Sequence, residues 1–261
     1  MLPPAEDLFG PMSNISIGDK APVITNESPD QIQLYQFGLT PFWAKKKMYF
    51  FNARSEGDHN KDNDPNYTGA MGIINKPAFR QVIRKKRCLI IADAFIEGPK
   101  KEKLSKPYLV YMRDKLRPFA MAGVWDDWVN KETGEVSSSF AIITTVANQL
   151  LQKIGHHRSP VILSEDQEKD WLSDAPLSDI TNMLRPYPSE EMNAYPISPT
   201  IKNPRDKDLK LLKPIGDRIY PEYTYEIHRE LKLEGMGMST ARLRKQDEED
   251  PDKDKNQGSL F

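Results

Sequence analysis

A chain of 261 residues with a net charge of −1 has no overall charge excess for nucleic acid, so such binding must come from a local basic surface. The single cysteine, Cys88, excludes an intramolecular disulfide, and no paired Cys/His spacing indicates a metal site. No apolar run approaches the length of a membrane span, and the N-terminus lacks a signal-peptide core. These features predict a soluble, cytoplasmic protein.

Short strands dominate the predictions for the first half of the chain. Residues 1–20 are punctuated by proline and glycine, which indicates irregular structure. Short apolar or alternating runs predict strands at 21–25, 32–37, 88–92 and 93–97, with a turn at 26–30. Residues 57–72 have the composition of an inserted loop.

The most basic stretch of the chain is 75–87, where Pro77 at an early position predicts a helix start. Its cations are Lys76, Arg80, Arg84, Lys85, Lys86 and Arg87. Such a run is either a solvated helix face or a surface that attracts phosphates.

The second half continues with strands and a few short helices. Strands are predicted at 106–112, 118–125, 137–145, 195–201 and 209–215, and helices at 147–154, 165–172 and 177–185. Strands outnumber helices without alternating with them, which predicts one α+β domain of mainly antiparallel strands. We assign this domain to residues 1–216. Residues 217–261 form a charged tail, expected to be disordered.

Three places carry candidate chemistry. Period-two spacing puts Asn52, Arg54 and Glu56 on one side of an extended segment, either a solvated face or a site wall. Glu97 ends a predicted strand, where a carboxylate is a candidate general acid or base. His156 and its neighbours 157–158 follow Gly155, which stops a helix, and form either a polar turn or a ligand site between two core elements.

An aromatic corner is predicted at 38–45, where Phe42 and Trp43 follow Pro41. These rings either pack in the core or form a platform on which a nucleic-acid base stacks. Cys88, within a predicted buried strand, is expected to be an inert thiol.

Six ordered blocks give the chain a family resemblance. They are Gly-Leu-Thr-Pro-Phe-Trp-Ala-Lys at 38–45, Asn-Ala-Arg-Ser-Glu at 52–56, Lys-Pro-Ala-Phe-Arg at 76–80, Arg-Cys-Leu-Ile-Ile-Ala-Asp-Ala-Phe-Ile-Glu at 87–97, Ile-Ile-Thr-Thr-Val-Ala-Asn at 142–148 and His-His-Arg-Ser-Pro-Val-Ile-Leu at 156–163. In this order and spacing, over roughly residues 20–216, the chain resembles the SRAP family, the SOS response-associated peptidase-like proteins that process abasic sites.

The resemblance implies a barrel-like sheet and a protein that binds single-stranded DNA and cross-links covalently to abasic sites, shielding them during repair. Family members use a cysteine directly after the initiator methionine, whose α-amine and thiol together close a thiazolidine ring on the sugar aldehyde. No cofactor, metal or membrane is implied, and a monomer is expected.

The resemblance also implies roles for individual residues. By motif, Asn52, Glu97 and His156 would be catalytic: Asn52 orients the nucleophile, Glu97 acts as general acid and base, and His156 helps to open the sugar. The residues that would contact DNA or line its pocket are Phe42, Trp43, Arg54, Thr145 and Arg158.

The chain departs from the family pattern at its beginning, which reads Met1-Leu2-Pro3 without the cysteine. We expect that the family's N-terminal region is truncated here and that the catalytic cysteine lies upstream. Two alternatives stay open: a degenerate member that binds DNA without cross-linking, or a reversible Schiff base formed by the amine of Met1. A thiol autopeptidase is a further alternative and needs an exposed cysteine.

Two smaller departures lie within the matched blocks. Ser159 precedes Pro160 where the family usually has methionine or another residue, and we expect this change to be tolerated. Gly98 follows Glu97 where many members have tryptophan, and it is expected to loosen the packing beside the carboxylate.

Overall fold

The computed structural model describes residues 12–113 and 118–222. Its strands are β1 (Lys20–Thr25), β2 (Ser28–Phe37), β3 (Asn52–Arg54), β4 (Arg87–Ala92), β5 (Ala94–Glu97), β6 (Tyr108–Met112), β7 (Phe119–Val129), β8 (Val136–Val146), β9 (Arg158–Pro160), β10 (Ile162–Leu163) and β11 (Met192–Pro196). Its α-helices are α1 (Val82–Lys85), α2 (Gln149–Ile154), α3 (Glu165–Leu172) and α4 (Leu177–Asn182). Short 3₁₀ turns occupy Gly72–Asn75, Lys103–Ser105, Ser189–Glu191, Pro199–Lys202 and Leu209–Leu212.

A closed five-strand barrel forms the centre of the fold. Its strands pair in the order β7-β4-β1-β2-β8, and the antiparallel pairing of β7 with β8 closes the ring. The β2–β8 and β3–β8 pairings are parallel, whereas the other pairings are antiparallel. The α+β prediction with mainly antiparallel strands is therefore confirmed. Closure also leaves the ring without the unpaired edges that promote aggregation.

The barrel strands are apolar on both faces, and each face packs against a different set of helices. On β7, Ala122 and Val124 lie in a cluster that includes Trp171 of α3, whereas Met121 lies in a second cluster with Leu150 of α2. This two-sided burial explains why β4 and β7 read as continuous apolar runs rather than as alternating ones. It also explains the state of Cys88, which is fully buried in β4, where burial raises the pKa of its thiol far above its usual range.

A second antiparallel sheet, in the order β11-β6-β5, carries Glu97 at the end of β5. The strand predicted at 195–201 begins earlier, at Met192, and ends at Pro196. The strand predicted at 209–215 is wrong, because Leu209–Leu212 form a 3₁₀ turn. The Asp208 side chain accepts from the backbone N–H of Lys210 (2.8 Å), and such a cap favours a turn over a sheet ladder.

Two further elements are shorter than predicted. The turn predicted at 26–30 is shorter, because β2 already begins at Ser28. The helix predicted over 75–87 is reduced to the four residues of α1, and Arg87 begins β4. The Arg87 guanidinium is buried and donates to backbone carbonyls of Ile83, Arg84, Trp171 and Ser173, which fixes Arg87 inside the fold.

The N-terminal residues 1–11 and most of the tail predicted at 217–261 lie outside the described residues, so the predicted domain limits stay predictions. Up to Tyr220, the described residues belong to one compact unit. None of the helices in the described ranges has the length and apolar character needed to cross a bilayer.

Candidate active site

The histidine pair is positioned by the end of α2. Asn148 caps the helix by accepting from the backbone N–H of Leu151 (3.0 Å), and Gly155 closes it in the left-handed conformation at φ 87°. The backbone N–H of His156 still donates to the Leu151 carbonyl (2.9 Å), which holds its ring at the helix end. The helix stop predicted at Gly155 is thus confirmed.

Glu97 reaches this helix end through the loop that follows β5. The backbone N–H of Lys100 donates to the carbonyl of Gly155 (3.0 Å), which joins the loop to the end of α2. The Glu97 Oε1 atom consequently lies 3.3 Å from Nε2 of His156. Two of the three predicted catalytic residues, 59 positions apart in the sequence, therefore face each other directly.

The hydrogen bonds of His156 assign its tautomer. Its Nδ1 lies 3.0 Å from the backbone carbonyl of Arg158, and a carbonyl can only accept. Nδ1 therefore carries a hydrogen, and in the neutral ring Nε2 is the acceptor that faces Glu97. A protonated Glu97 carboxyl donates to Nε2, so one proton can pass between the two side chains.

Burial shifts both groups toward their neutral forms. Desolvation raises the pKa of Glu97 to about 7, opposed only partly by the Gly98 backbone N–H that donates to its carboxylate. Desolvation also lowers the pKa of His156 below its ordinary value, and the nearby Arg158 and Lys100 charges act in the same direction. A carboxyl with a pKa near 7 can donate and accept protons at neutral pH, as general acid–base catalysis requires.

A pocket of about 220 Å³ opens beside this pair. It is lined by Glu97, Gly98, Pro99, Lys100, Lys103, Leu104, His156 and His157. The His157 ring lies 4.9 Å from the His156 ring, and its buried Nδ1 has no hydrogen-bond partner among the described residues. Desolvation and the His156 ring lower the pKa of His157 to about 4, so it is a neutral ring at physiological pH. Across residues 12–113 and 118–222, no three His, Cys, Asp or Glu side chains are grouped to hold a metal.

Gly98 is packed tightly, contrary to the looser packing that we expected there. A Cβ atom at this position would lie 2.0 Å from the backbone carbonyl oxygen of Lys103. Glycine is therefore required here because the loop that lines the pocket folds back directly against it. The same close approach keeps Lys103 at the pocket wall beside Glu97.

Arg158 is buried and forms an ion pair within the protein. Its guanidinium forms two parallel bonds with Glu56, from Nη1 to Oε1 (3.1 Å) and from Nη2 to Oε2 (2.9 Å). Nη2 also donates to the backbone carbonyl of Thr144 (2.6 Å). The side chains of Arg158 and Glu56 are 9% and 1% exposed, so a direct phosphate contact would require this buried pair to separate.

The other predicted residues of the 52–56 block take different environments. Asn52 begins β3 and is exposed, whereas Ala53 is buried in the core. Arg54 is half-buried and donates to the Asn60 carbonyl (3.1 Å) and to Oδ1 of Asn63 (2.9 Å). Glu56 does not share the face of Asn52, because β3 ends at Arg54 and the chain turns inward.

Thr145 lies in β8 and is buried, with its hydroxyl donating to the Leu184 carbonyl at 3.4 Å. Its neighbour Thr144, which was not predicted as a site residue, contacts Arg158 through its backbone carbonyl and hydroxyl. A role for Thr145 in the pocket stays a prediction. In this structure its side chain contacts Leu184, which follows α4.

The aromatic corner faces outward on a well-anchored loop. Phe42 and Trp43 are 55% and 49% exposed, which fits a stacking surface better than core packing. The loop is fixed by the Phe42 backbone N–H donating to Asp126 Oδ2 (2.8 Å) and by Trp128 Nε1 donating to the Ala44 carbonyl (2.8 Å). Tyr49 and Phe51 on the same loop are also exposed, and sequence reasoning did not single them out.

Sequence reasoning also missed the residues that complete the pocket wall. They are His157, Lys100 and Lys103. Adjacency to His156 was the available signal for His157, whereas the two lysines reach the pocket only through the tight fold at Gly98. Glu56 was noted but not identified as the partner of Arg158, because a pairing across 102 residues has no local signal.

Comparison with known proteins identifies the family of this chain. Residues 3–204 match the model for the SOS response associated peptidase (SRAP). The chain is 32% identical to the abasic site processing protein YoaM and 31% identical to YoqW, both of Bacillus subtilis; the matches cover 78% and 80% of this chain and 85% and 88% of those proteins. It is 26% identical to the chicken abasic site processing protein HMCES, over 69% of this chain and 56% of that protein.

Solved structures give a consistent result. A crystal structure of a protein from Bacteroides thetaiotaomicron matches with a TM-score of 0.64 and 31% identity, over 76% of this chain and 82% of that one. A structure from Bordetella bronchiseptica matches with a TM-score of 0.54 and 25% identity, over 69% and 84% of the two chains. The chain belongs to the SOS response associated peptidase (SRAP) family.

Proposed function

We propose that this protein processes abasic sites in single-stranded DNA by binding the lesion and cross-linking to it covalently. Family membership and relatives named as abasic site processing proteins support the lesion as the target. The observation that carries the proposal is the Glu97–His156 pair at 3.3 Å beside a pocket, with the Glu97 pKa raised to about 7.

The chemistry requires proton transfers that this pair can perform. The ring-opened abasic sugar presents an aldehyde, and an N-terminal α-amine adds to it to give a carbinolamine. Loss of water then gives an imine, and a neighbouring thiol adds to the imine carbon while its proton passes to nitrogen, closing a thiazolidine without any redox change. Glu97 in its acid form protonates the departing hydroxyl, and as a carboxylate it takes protons from the incoming amine. His156 relays these protons through Nε2.

DNA would be bound through contacts that do not distinguish one base sequence from another. Exposed Phe42 and Trp43 would stack on bases that flank the lesion, and Arg54 would contact a phosphate, which gives affinity without base preference. Asn52, exposed at the start of β3, would orient the nucleophile. Arg158 would act by holding Glu56 and Thr144, unless DNA binding separates it from Glu56.

A non-covalent binding module is the second candidate. It is favoured by one observation: the only thiol of this sequence, Cys88, is fully buried in β4 and cannot reach DNA. The thiol-autopeptidase alternative meets the same obstacle, because its nucleophile would also need to be exposed.

Two measurements separate these candidates. The intact mass of the protein purified from its own organism is compared with that of Met1–Phe261, and the protein is incubated with an abasic oligonucleotide without borohydride. Cross-linking predicts an N-terminal cysteine and an adduct stable to denaturing electrophoresis. A mass matching this sequence, with DNA binding but no stable adduct, would support the non-covalent module instead.

Replacing His156 by alanine is expected to slow adduct formation far more than it weakens DNA binding. The change removes the proton relay at Nε2, and general acid–base contributions are typically about 10²–10⁴-fold. Single-turnover adduct formation and fluorescence anisotropy, measured on the same abasic oligonucleotide, give the two quantities. His59→Ala, in the 57–72 loop, is the matched control. Equal losses of rate and affinity in His156→Ala would reassign His156 to structure or binding.

Affinity for single-stranded DNA is expected to fall steeply with salt concentration. Each phosphate neutralised by the protein contributes a slope of about −0.7 in log affinity against log salt, so three contacts predict a slope of about −2. Anisotropy titrations between low and physiological salt measure the slope directly. A flat response would argue against DNA as the partner, because the proposed phosphate contacts are electrostatic and must weaken as salt is added.

A further inference from the structure

A second surface pocket, of about 530 Å³, lies beside α1 and shares no lining residue with the pocket at Glu97. We call it the basic pocket, and it is lined by Ile74, Asn75, Arg80, Gln81, Arg84 and Lys85. Three of these side chains are cationic, two are amides and none is a carboxylate. The function proposed above does not use any of them.

The structure divides the basic stretch 75–87 into cations that the fold uses and cations that it leaves open. Lys86 pairs with Asp126 (3.1 Å) and lies over the Trp125 ring, and Arg87 is buried among backbone carbonyls. Lys76 pairs with Asp58. These three residues therefore have structural explanations, and the remaining three cations all line the basic pocket.

Arg80, Arg84 and Lys85 are exposed and pair with no carboxylate in the described ranges. Arg84 is nevertheless held in place, because its Nη1 donates to the Ile74 carbonyl (3.0 Å) and to the Arg80 carbonyl. Its guanidinium is thus preorganised at the wall of the pocket. Arg80, in the turn before α1, and Arg84 line the same pocket, which has no carboxylate, so a bound anion would offset the repulsion between them.

We propose that the basic pocket binds phosphate groups of the DNA strand that continues beyond the abasic site, which rests on the function proposed above. Guanidinium groups match phosphate geometry, and the amides of Asn75 and Gln81 supply neutral donors of the kind that position a DNA backbone. The pocket residue Ile74 also directly follows a residue that is hydrogen-bonded to the 52–56 block. The backbone N–H of Ile73 donates to the carbonyl of Ser55 (3.0 Å), the residue after Arg54.

The test compares Arg80→Ala/Lys85→Ala with wild type on abasic oligonucleotides of three designs. One carries three nucleotides on each side of the lesion, and the others extend it by ten nucleotides on the 5′ or the 3′ side. We expect equal affinity on the short oligonucleotide and roughly tenfold weaker binding of the variant on one extended oligonucleotide. Loss of two phosphate contacts should also make the salt slope shallower by about 1.4 on that oligonucleotide. The side that shows the effect gives the direction of the strand.

The control Lys131→Ala/Lys202→Ala removes the same charge from exposed positions outside the basic pocket and should behave as wild type. Equal affinity of Arg80→Ala/Lys85→Ala and wild type on all three oligonucleotides would overturn the inference. So would an equal loss on the short and extended forms, which indicates a general charge effect. If the wild type forms an adduct but its affinity does not rise when the oligonucleotide is extended, this inference alone is overturned. If the wild type binds no abasic DNA, the proposed function is overturned, and this inference with it.

Discussion

Replacing Glu97 by glutamine is expected to slow adduct formation by roughly 10²–10⁴-fold while leaving DNA affinity within about twofold of wild type. Glutamine keeps the shape of the side chain and can still donate to Nε2 of His156, but it cannot exchange a proton. The carboxyl matters because its pKa of about 7 lets both of its forms be present at neutral pH. Single-turnover rates at saturating DNA measure the loss. Glu102→Gln, an exposed carboxylate on the adjacent loop, is the matched control.

The same variant should alter the pH profile. In the wild type, the rate of adduct formation rises as the α-amine loses its proton at about pH 7.7–8.0, its ordinary pKa. The rate falls as Glu97 loses its proton at about pH 7. The profile is therefore bell-shaped with a maximum between these values. Glu97→Gln should lose the falling limb and keep the rising one. An unchanged bell would show that another group supplies the acid.

Stability distinguishes a catalytic Glu97 from a structural one. Its folded pKa of about 7 lies above its ordinary value of 4.5, so its contribution to stability is fully present below pH 4.5 and is lost as pH rises through about 7. Glutamine never ionises, so Glu97→Gln should melt at a higher temperature than wild type at pH 8 and at a similar temperature at pH 5. A lower melting temperature at both pH values would indicate a structural role.

Local signals in the sequence were sufficient for several elements of this fold. The helix stop at Gly155 follows from glycine alone, and the residue range of α3 matches the predicted helix because Ser164 and Gln167 form a capping box. The buried strand at Cys88 follows from its continuous apolar run. In each case, a few neighbouring residues in the sequence determine the local structure.

Pairings between distant segments could not be predicted in this way. Glu97 and His156 meet because the loop after β5 bonds to the carbonyl of Gly155 and folds closely over Gly98. Only the ordered family blocks had brought these two residues into one hypothesis. Glu56 was placed on the face of Asn52 by its period-two spacing, but the strand ends before that period reaches it. The pairing of Arg158 with Glu56 was also missed, because the two residues lie 102 positions apart in the sequence.

Replacing Glu56 by glutamine is expected to destabilise the protein by about 3–5 kcal/mol, because it leaves the buried Arg158 guanidinium without a counter-charge. For a protein of this size, that loss corresponds to a melting temperature lower by roughly 6–20 °C. Calorimetry at neutral pH measures the change. Asp58→Asn, which breaks the exposed pair with Lys76 on the neighbouring loop, is the matched control and should leave the melting temperature close to that of wild type.

The pair can also be replaced rather than broken. Glu56→Leu with Arg158→Met removes both charges at similar volume, and such a replacement is often neutral or stabilising where breaking the pair is costly. We therefore expect the double variant to recover most of the melting temperature lost in Glu56→Gln. If it also retains adduct formation and affinity, Arg158 acts only through the fold. If it recovers stability but loses DNA affinity several-fold, the guanidinium contacts phosphate when DNA is bound, as the family resemblance predicts. A Glu56→Gln variant that melts with wild type would contradict the structural role of the pair.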